Sequence, residues 1–205
     1  SKVLFLNTGA ESNEAAIRLA KLYTDCFEIV GMTGSWHGTT YGAASTTYAH
    51  GRKGYGPSMP GALAIPAPNC YRCPIAQCKS KCNLACLEFS FDYLDSVSVG
   101  SIAAVLVEPI QSAGGIIVPP EGYLKKLRAW CDERSILLIF DEAQTGLGRV
   151  GANFAFEIEQ VVPDILSLSK TLGAGVPLAA TICSPEIAAT TRDKGFSHFT
   201  SHASD

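Results

Sequence analysis

Short apolar runs alternate with amphipathic segments along the whole 205-residue chain, and this alternation constrains the fold more than any other feature. "KVLFL" at 2–6 is followed by "ESNEAAIRLAKLYTDC" at 11–26, whose apolar residues recur at helical spacing. "FEIVGM" at 27–32 reads as the next strand, and "FDYLDSV" at 91–97 as the start of another helix. "IAAVLVEP" at 102–109 and "ILLIFDEAQ" at 136–144 read as buried strands flanking the amphipathic helix "GYLKKLRAWCDERS". "DILSLSK" and "PLAATICS" predict a strand pair. Residues 38–69 hold six glycines and four prolines and carry little periodicity, so they read as a long ordered excursion. Strands alternating with helices predict an α/β fold, a mostly parallel sheet with helices on both faces.

Polar residues then stand where such a sheet binds ligands. Thr8, Gly9 and Ala10, Trp36 and His37, Glu108, Asp141 and Lys170 each follow a strand pattern within a few residues. In an open parallel sheet those carboxyl ends line one crevice. Small residues at a strand-to-helix turn let backbone N–H groups approach a phosphate, although Ser12 or Asn13 capping an ordinary helix explains the turn equally well. Asp141 ends the apolar run Ile136 to Phe140, so its carboxylate needs a cationic or hydrogen-bonding partner, as ligand or as ion pair. Lys170 is the one charge between Asp164 and Glu186, so it must snorkel, find a buried partner or lose its charge by chemistry, and the last reading expects a buried amine. A lysine amine for a Schiff base, a carboxylate for a pyridine nitrogen, a helix start for phosphate and an aromatic ring for stacking are together the demands of pyridoxal phosphate.

Other signals are weaker. "DEAQ" at 141–144 resembles a helicase acidic box, but no Gly-Lys phosphate loop accompanies it. Ser167 to Lys170 fits S-x-x-K without the other elements of that serine machinery. A net charge of −3 gives no electrostatic case for nucleic acid or anionic membrane. No apolar run approaches membrane-spanning length and no targeting signal is visible, so a cytoplasmic protein is expected. Both ends read as the middle of structure, so a piece of a longer subunit is expected. Five of eight cysteines (Cys70, Cys73, Cys78, Cys82, Cys86) crowd into one stretch. Their spacing admits zinc or an iron–sulfur cluster, while the absence of a regular ligand set favours a surface loop of reduced thiols.

"NTGAESNEAAIRLAK", "SWHGTTYGA", "VLVEPIQSAGG", "LLIFDEAQTGLGRVG" and "PDILSLSKTLGAGVPLAA" resemble the signature blocks of class III pyridoxal-phosphate aminotransferases. Within that class, Trp36 and "FTSHASD" are most similar to the 2,2-dialkylglycine decarboxylases. The resemblance implies the large domain of a fold-type I enzyme over residues 1–205, without the N-terminal segment and small C-terminal domain. It implies that Lys170 carries the cofactor as a Schiff base, Asp141 pairs with the pyridinium nitrogen, and Gln144 lies near the ring hydroxyl. Thr8, Gly9 and Ala10 then bind phosphate, Trp36 stacks on the ring beside His37, and Glu108 and Ala113 line the substrate side. Ser201, Ala203 and Asp205 match positions that ligate an alkali ion, potassium or sodium. Thr39 and Ala113 depart from the decarboxylase pattern of Met and Ser, both near the substrate. The implied reaction is decarboxylation and transamination of a 2,2-dialkylglycine with pyruvate as acceptor. The alternatives are an ω-amino-acid aminotransferase and a truncated, non-catalytic homologue. A homodimer or dimer of dimers, amino-acid and oxo-acid substrates, and no nucleic acid or membrane partner complete the implied picture.

Overall fold

The computed structural model describes residues 1–49, 53–73, 75 and 82–198. In chain order the elements are β1 (Lys2–Leu6), α1 (Gly9–Thr24), β2 (Glu28–Met32), α2 (Tyr41–Ser45), β3 (Ala62–Ile65), α3 (Ala85–Val97) and β4 (Ile102–Val107). These are followed by α4 (Tyr123–Glu133), β5 (Leu137–Asp141), α5 (Phe156–Glu159), β6 (Ile165–Leu168), β7 (Ala179–Cys183) and α6 (Pro185–Asp193).

The seven strands form one sheet in the order β1-β7-β6-β5-β4-β2-β3. β2, β3, β4, β5 and β6 pair in parallel, and β7 runs antiparallel to both β6 and β1. The expected pair at 164–184 is therefore antiparallel, Leu166 opposite Ile182. All five residues of β2 and of β5 are buried, as a strand covered on both faces requires.

Alternate residues feed two cores. Val30, Val105, Val107, Leu138, Phe140 and Leu166 pack against Leu87, Phe91, Leu94, Leu127 and Trp130 from α3 and α4. Ile29, Leu106, Ile139 and Ile165 pack against Ala16, Ile17, Leu19 and Ala20 of α1 and Ile187 of α6. The alanines of α1 have no bulk beyond Cβ, which lets that helix lie close to the centre of the sheet.

One expectation gains detail and another needs correction. The excursion at 38–69 contains the short α2 and the edge strand β3. "YGAAS" and "ALAI" are too short and too uniform to show a period. Helix α3 begins at Ala85, not Phe91; Cys86 and Leu87 are buried and belong to its packed face rather than to a surface loop. Cys78 lies outside the described residues, among which no group of three or more His, Cys, Asp or Glu side chains is placed to hold a metal ion. No helix among the described residues is long and apolar enough to cross a membrane.

Candidate active site

At the carboxyl ends of β1, β2, β5 and β6 lies a cleft of about 330 Å³. Gly9, Ala10 and Asn13 of α1, Trp36 to Thr39 after β2, Asp141 and Ala143 of the β5 end, and Ser169 and Lys170 after β6 line it. A larger cleft of about 690 Å³ sits at the amino ends of β2, β4 and β5, beside Cys26, Trp130 and Arg134. Chemistry rather than volume selects the smaller one, because the buried carboxylate, the helix start and the lysine all open there.

Asp141 is the centre of the cleft's polar chemistry. Only 4% exposed, it receives three hydrogen bonds. The amide of Asn13 donates to Oδ2 at 2.7 Å, His37 Nδ1 lies 2.9 Å from the same oxygen, and the backbone N–H of Ala143 donates to Oδ1 at 3.0 Å. Donors of this kind give a buried carboxylate the partners that water would otherwise supply. Because Asp141 only accepts, His37 must present Nδ1–H to it, which leaves buried Nε2 without a partner.

The start of α1 supplies the second feature. Thr8 is the N-cap: its hydroxyl accepts from the Glu11 N–H, and the Glu11 carboxylate accepts from the Thr8 N–H in return. Neither expected cap has that role. Ser12 donates to the Ala180 carbonyl at 2.7 Å and ties the helix to β7, and Asn13 turns into the cleft. The amides of Gly9 and Ala10 lie in the first turn, where no preceding carbonyl exists to pair them. A Cβ on Gly9 would sit 3.3 Å from that of Ser169, so the cleft wall is close there and a small residue suits it.

Across from α1, the Trp36–Thr39 loop is held from below. Glu108 accepts from the Trp36 N–H at 2.8 Å and from the Ser112 N–H at 3.1 Å. Burial pushes its carboxyl above the ordinary range, against the lowering effect of His37 and these two donors. Trp36 is 38% exposed and lines the cleft. Gly38 has φ +136° and passes so near Ala10 that a Cβ would lie 2.5 Å from the Ala10 Cβ.

Lys170 corrects the sequence expectation. It is exposed, not buried: the apolar segment around it is β6, which ends at Leu168, and the chain turns outward into a 3₁₀ turn over Lys170–Gly173. Its φ of +49° is left-handed, an unfavourable conformation for a side chain with a Cβ. Such strain at the lip of a ligand cleft is an arrangement seen at functional positions.

Several expected residues are not in the cleft lining itself. Thr8 is engaged in capping, Gln144 is half-buried on the turn after β5, Glu108 braces the loop from behind, and Ala113 is exposed on a neighbouring turn. Ser201, Ala203 and Asp205 lie outside the described residues. Asn13, Gly38, Ala143 and Ser169 were not anticipated. Asn13 was legible in principle, since it lies one helical turn beyond Gly9 and Ala10 on the same face.

Pyridoxal phosphate fits what is present. A ring-nitrogen partner exists in buried Asp141, amides for a phosphate in the first turn of α1, and an amine in Lys170. Two buried polar atoms, His37 Nε2 and Asn13 Oδ1, are without partners among the described residues. A family model for class III aminotransferases matches residues 1–203. An uncharacterized aminotransferase of Schizosaccharomyces pombe is 54% identical over all 205 residues, which make up 46% of its length. The taurine:2-oxoglutarate aminotransferase of Bifidobacterium kashiwanohense, solved with the cofactor and glutamate, superposes with a TM-score of 0.90 at 34% identity. That match covers 98% of this chain and 46% of that one. An (S)-enantioselective omega-transaminase of Thermomicrobium roseum superposes at 0.88 with 33% identity, over 98% and 47% of the two chains. The chain therefore spans about half the length of the proteins it matches. Its fold is the fold-type I transaminase fold, and the chain belongs to the class III aminotransferases.

Proposed function

We propose that the full-length protein is a pyridoxal-phosphate aminotransferase that moves the amino group of an ω-amino acid to a 2-oxo acid. The observation that carries the reading is the buried cluster of Asp141, His37 and Asn13, across one cleft from the start of α1 and from Lys170. When bound, the cofactor supplies an electron sink for the carbon that bears the amine. The chain's own groups have separable tasks. The first-turn amides of α1 hold the phosphate, with the helix dipole adding to their pull. Asp141, fixed by three hydrogen bonds, would pair with the protonated ring nitrogen. Trp36, in the cleft wall, would position the ring, and Lys170 Nζ would anchor the cofactor and carry a proton between carbons.

Omega-transaminase and taurine aminotransferase relatives support a terminal amine as donor. Thr39 in the cleft wall supports it too, because the bulkier Met of the decarboxylase pattern is missing there. Decarboxylation of a 2,2-dialkylglycine with pyruvate is the second reading, favoured by Trp36. An alkali ion at Ser201, Ala203 and Asp205 goes with that second reading. The subunit is proposed to work as a homodimer or a dimer of dimers.

Two measurements on full-length protein test this. The protein should absorb in the visible, and borohydride should fix the cofactor to the peptide containing Lys170. With β-alanine or 4-aminobutyrate and an oxo acid, it should yield the semialdehyde and the new amino acid. Release of carbon dioxide and acetone from 2-aminoisobutyrate, faster in potassium than in tetramethylammonium, selects the second reading. A colourless protein, or label on another lysine, removes both.

A further inference from the structure

We propose that Asn13 is a positioning residue of this site: its carboxamide locks the Asp141 carboxylate to the backbone of the Trp36–Thr39 loop. The inference rests on the aminotransferase reading above. Asn13 is 1% exposed, and its Nδ2 donates 2.8 Å to the His37 carbonyl and 2.7 Å to Asp141 Oδ2. Both amide hydrogens are therefore spent on two different strand ends, one after β2 and one at the end of β5. The orientation of the amide is not free. A flip would put Oδ1 against two acceptors, the His37 carbonyl and the Asp141 carboxylate. His37 closes the loop, since its ring Nδ1 meets the same Asp141 oxygen that Asn13 holds. The result is a triangle of helix α1, the loop after β2 and the end of β5, every edge of it a buried hydrogen bond.

Two consequences follow for a bound pyridine nitrogen. The Asn13 amide can only donate to Asp141 Oδ2, so it presents that oxygen as an acceptor beside the ring site. It also stops the carboxylate from rotating, because Oδ2 is held by two donors on one side and Oδ1 by Ala143 on the other. Replacing Asn13 by Asp keeps the shape and removes a donor. It places two carboxyl groups in contact, one of which must retain a proton.

The experiment uses full-length holoenzyme with Asn13→Ala, Asn13→Asp and Asn13→Ser. Absorbance of the lysine-bound cofactor is followed against pH, release of the cofactor is timed on dilution, and kcat and KM are measured with the amine. A lost hydrogen bond to a charged group corresponds to a shift of about one pH unit in that absorbance midpoint for Asn13→Ala. The same loss corresponds to about a 10- to 100-fold fall in kcat, with KM for the amine within about threefold. Cofactor release should quicken by about tenfold or more. Asn13→Asp should add a second step to the absorbance titration, with cofactor retention recovered in acid, where the new carboxyl is protonated and can donate. If Asn13→Ala fails to fold, Asn13→Ser and Asn13→Asp carry the same readings. Variants whose absorbance midpoint and cofactor release match wild type overturn the proposal, even if their melting temperature or kcat falls. A wild-type protein that takes up no pyridoxal phosphate on Lys170 overturns the aminotransferase reading and this one with it.

Discussion

Gly38 shows how one residue can carry a requirement that no pattern reveals. Its φ of +136° lies where only glycine is comfortable, and the space its side chain would need is held by Cβ and Cα of Ala10, at 2.5 and 2.8 Å. Both atoms belong to the first turn of α1, so nothing there can give way cheaply. Gly38→Ala should therefore push the Trp36–Thr39 loop away from the helix start. It should destabilise the protein by about 2–4 kcal/mol, read as a lower urea midpoint. Cofactor affinity should fall in parallel, measured by equilibrium dialysis, while Gly54→Ala, where no atom lies within 4 Å of the new Cβ, should leave affinity unchanged. Equal affinities for the two variants would show that the loop's position does not govern binding. The glycine was visible in the sequence as part of "SWHGTTYGA", but its reason was not, because the partner Ala10 is 28 positions earlier and meets it only in the folded chain. The burial expected of Lys170 failed for a related cause. Hydropathy averages over a segment, whereas burial is decided residue by residue where a strand stops, and β6 stops at Leu168.

At the scale of elements, what the sequence reveals depends on length and repetition. β4, β5, α1 and α4 are long or strongly periodic, and each was legible within a few residues. α2 was not, and its hydrogen bonding explains why. The short helix has Thr40 as its N-cap without a side-chain bond; its first amides are met instead by Glu14 of α1. Glu14 Oε1 accepts from the N–H of Gly42 at 2.6 Å and of Ala43 at 3.1 Å. A cap supplied from 28 residues away leaves no local signature of the kind that Thr8 and Glu11 give for α1. Glu14→Ala should then cost about 1–2 kcal/mol, the usual worth of a lost cap, seen as a lower urea midpoint. Glu14→Gln keeps one carbonyl oxygen and should lose less than half as much. Equal losses for both would mean that the charge, not the acceptor, holds α2. The carboxyl-end crevice was legible for the same reason as the long elements: it needs only that strands alternate with helices and that polar residues follow the strands. The contacts that brace it, Glu108 beneath Trp36 and Asn13 between two strand ends, needed the fold.

Taken as a whole molecule, the sheet is covered unevenly. α3 and α4 lie on one face over β2, β4, β5 and β6, and α1 and α6 on the other. Among the described residues β1 stands at the edge of the sheet and pairs with β7 alone. Its residues alternate: Leu6 clusters with Ala15 of α1, so Val3 and Phe5 point to the α3 side, at a corner that neither α3 nor α4 reaches. They are 48% and 51% exposed, opposite half-buried Ile182 and buried Ala180 on β7, so the exposed apolar strip lies on β1 itself, beside a strand edge that no described residue pairs. An exposed apolar edge strand is a template for association. The 205-residue chain expressed alone should therefore self-associate at tens of micromolar, an order-of-magnitude concentration expected for contacts of this modest size. Val3→Thr with Phe5→Thr keeps β propensity while removing the apolar strip, and should raise the monomer fraction in sedimentation velocity. The same double substitution in the full-length protein distinguishes two situations. If other parts of the subunit cover the strip, the variant should lower the melting temperature, because polar groups replace packed ones. If the strip is open there too, the melting temperature should not change. A 205-residue chain that is monomeric at those concentrations with Val3 and Phe5 in place would show that the corner is not an association surface.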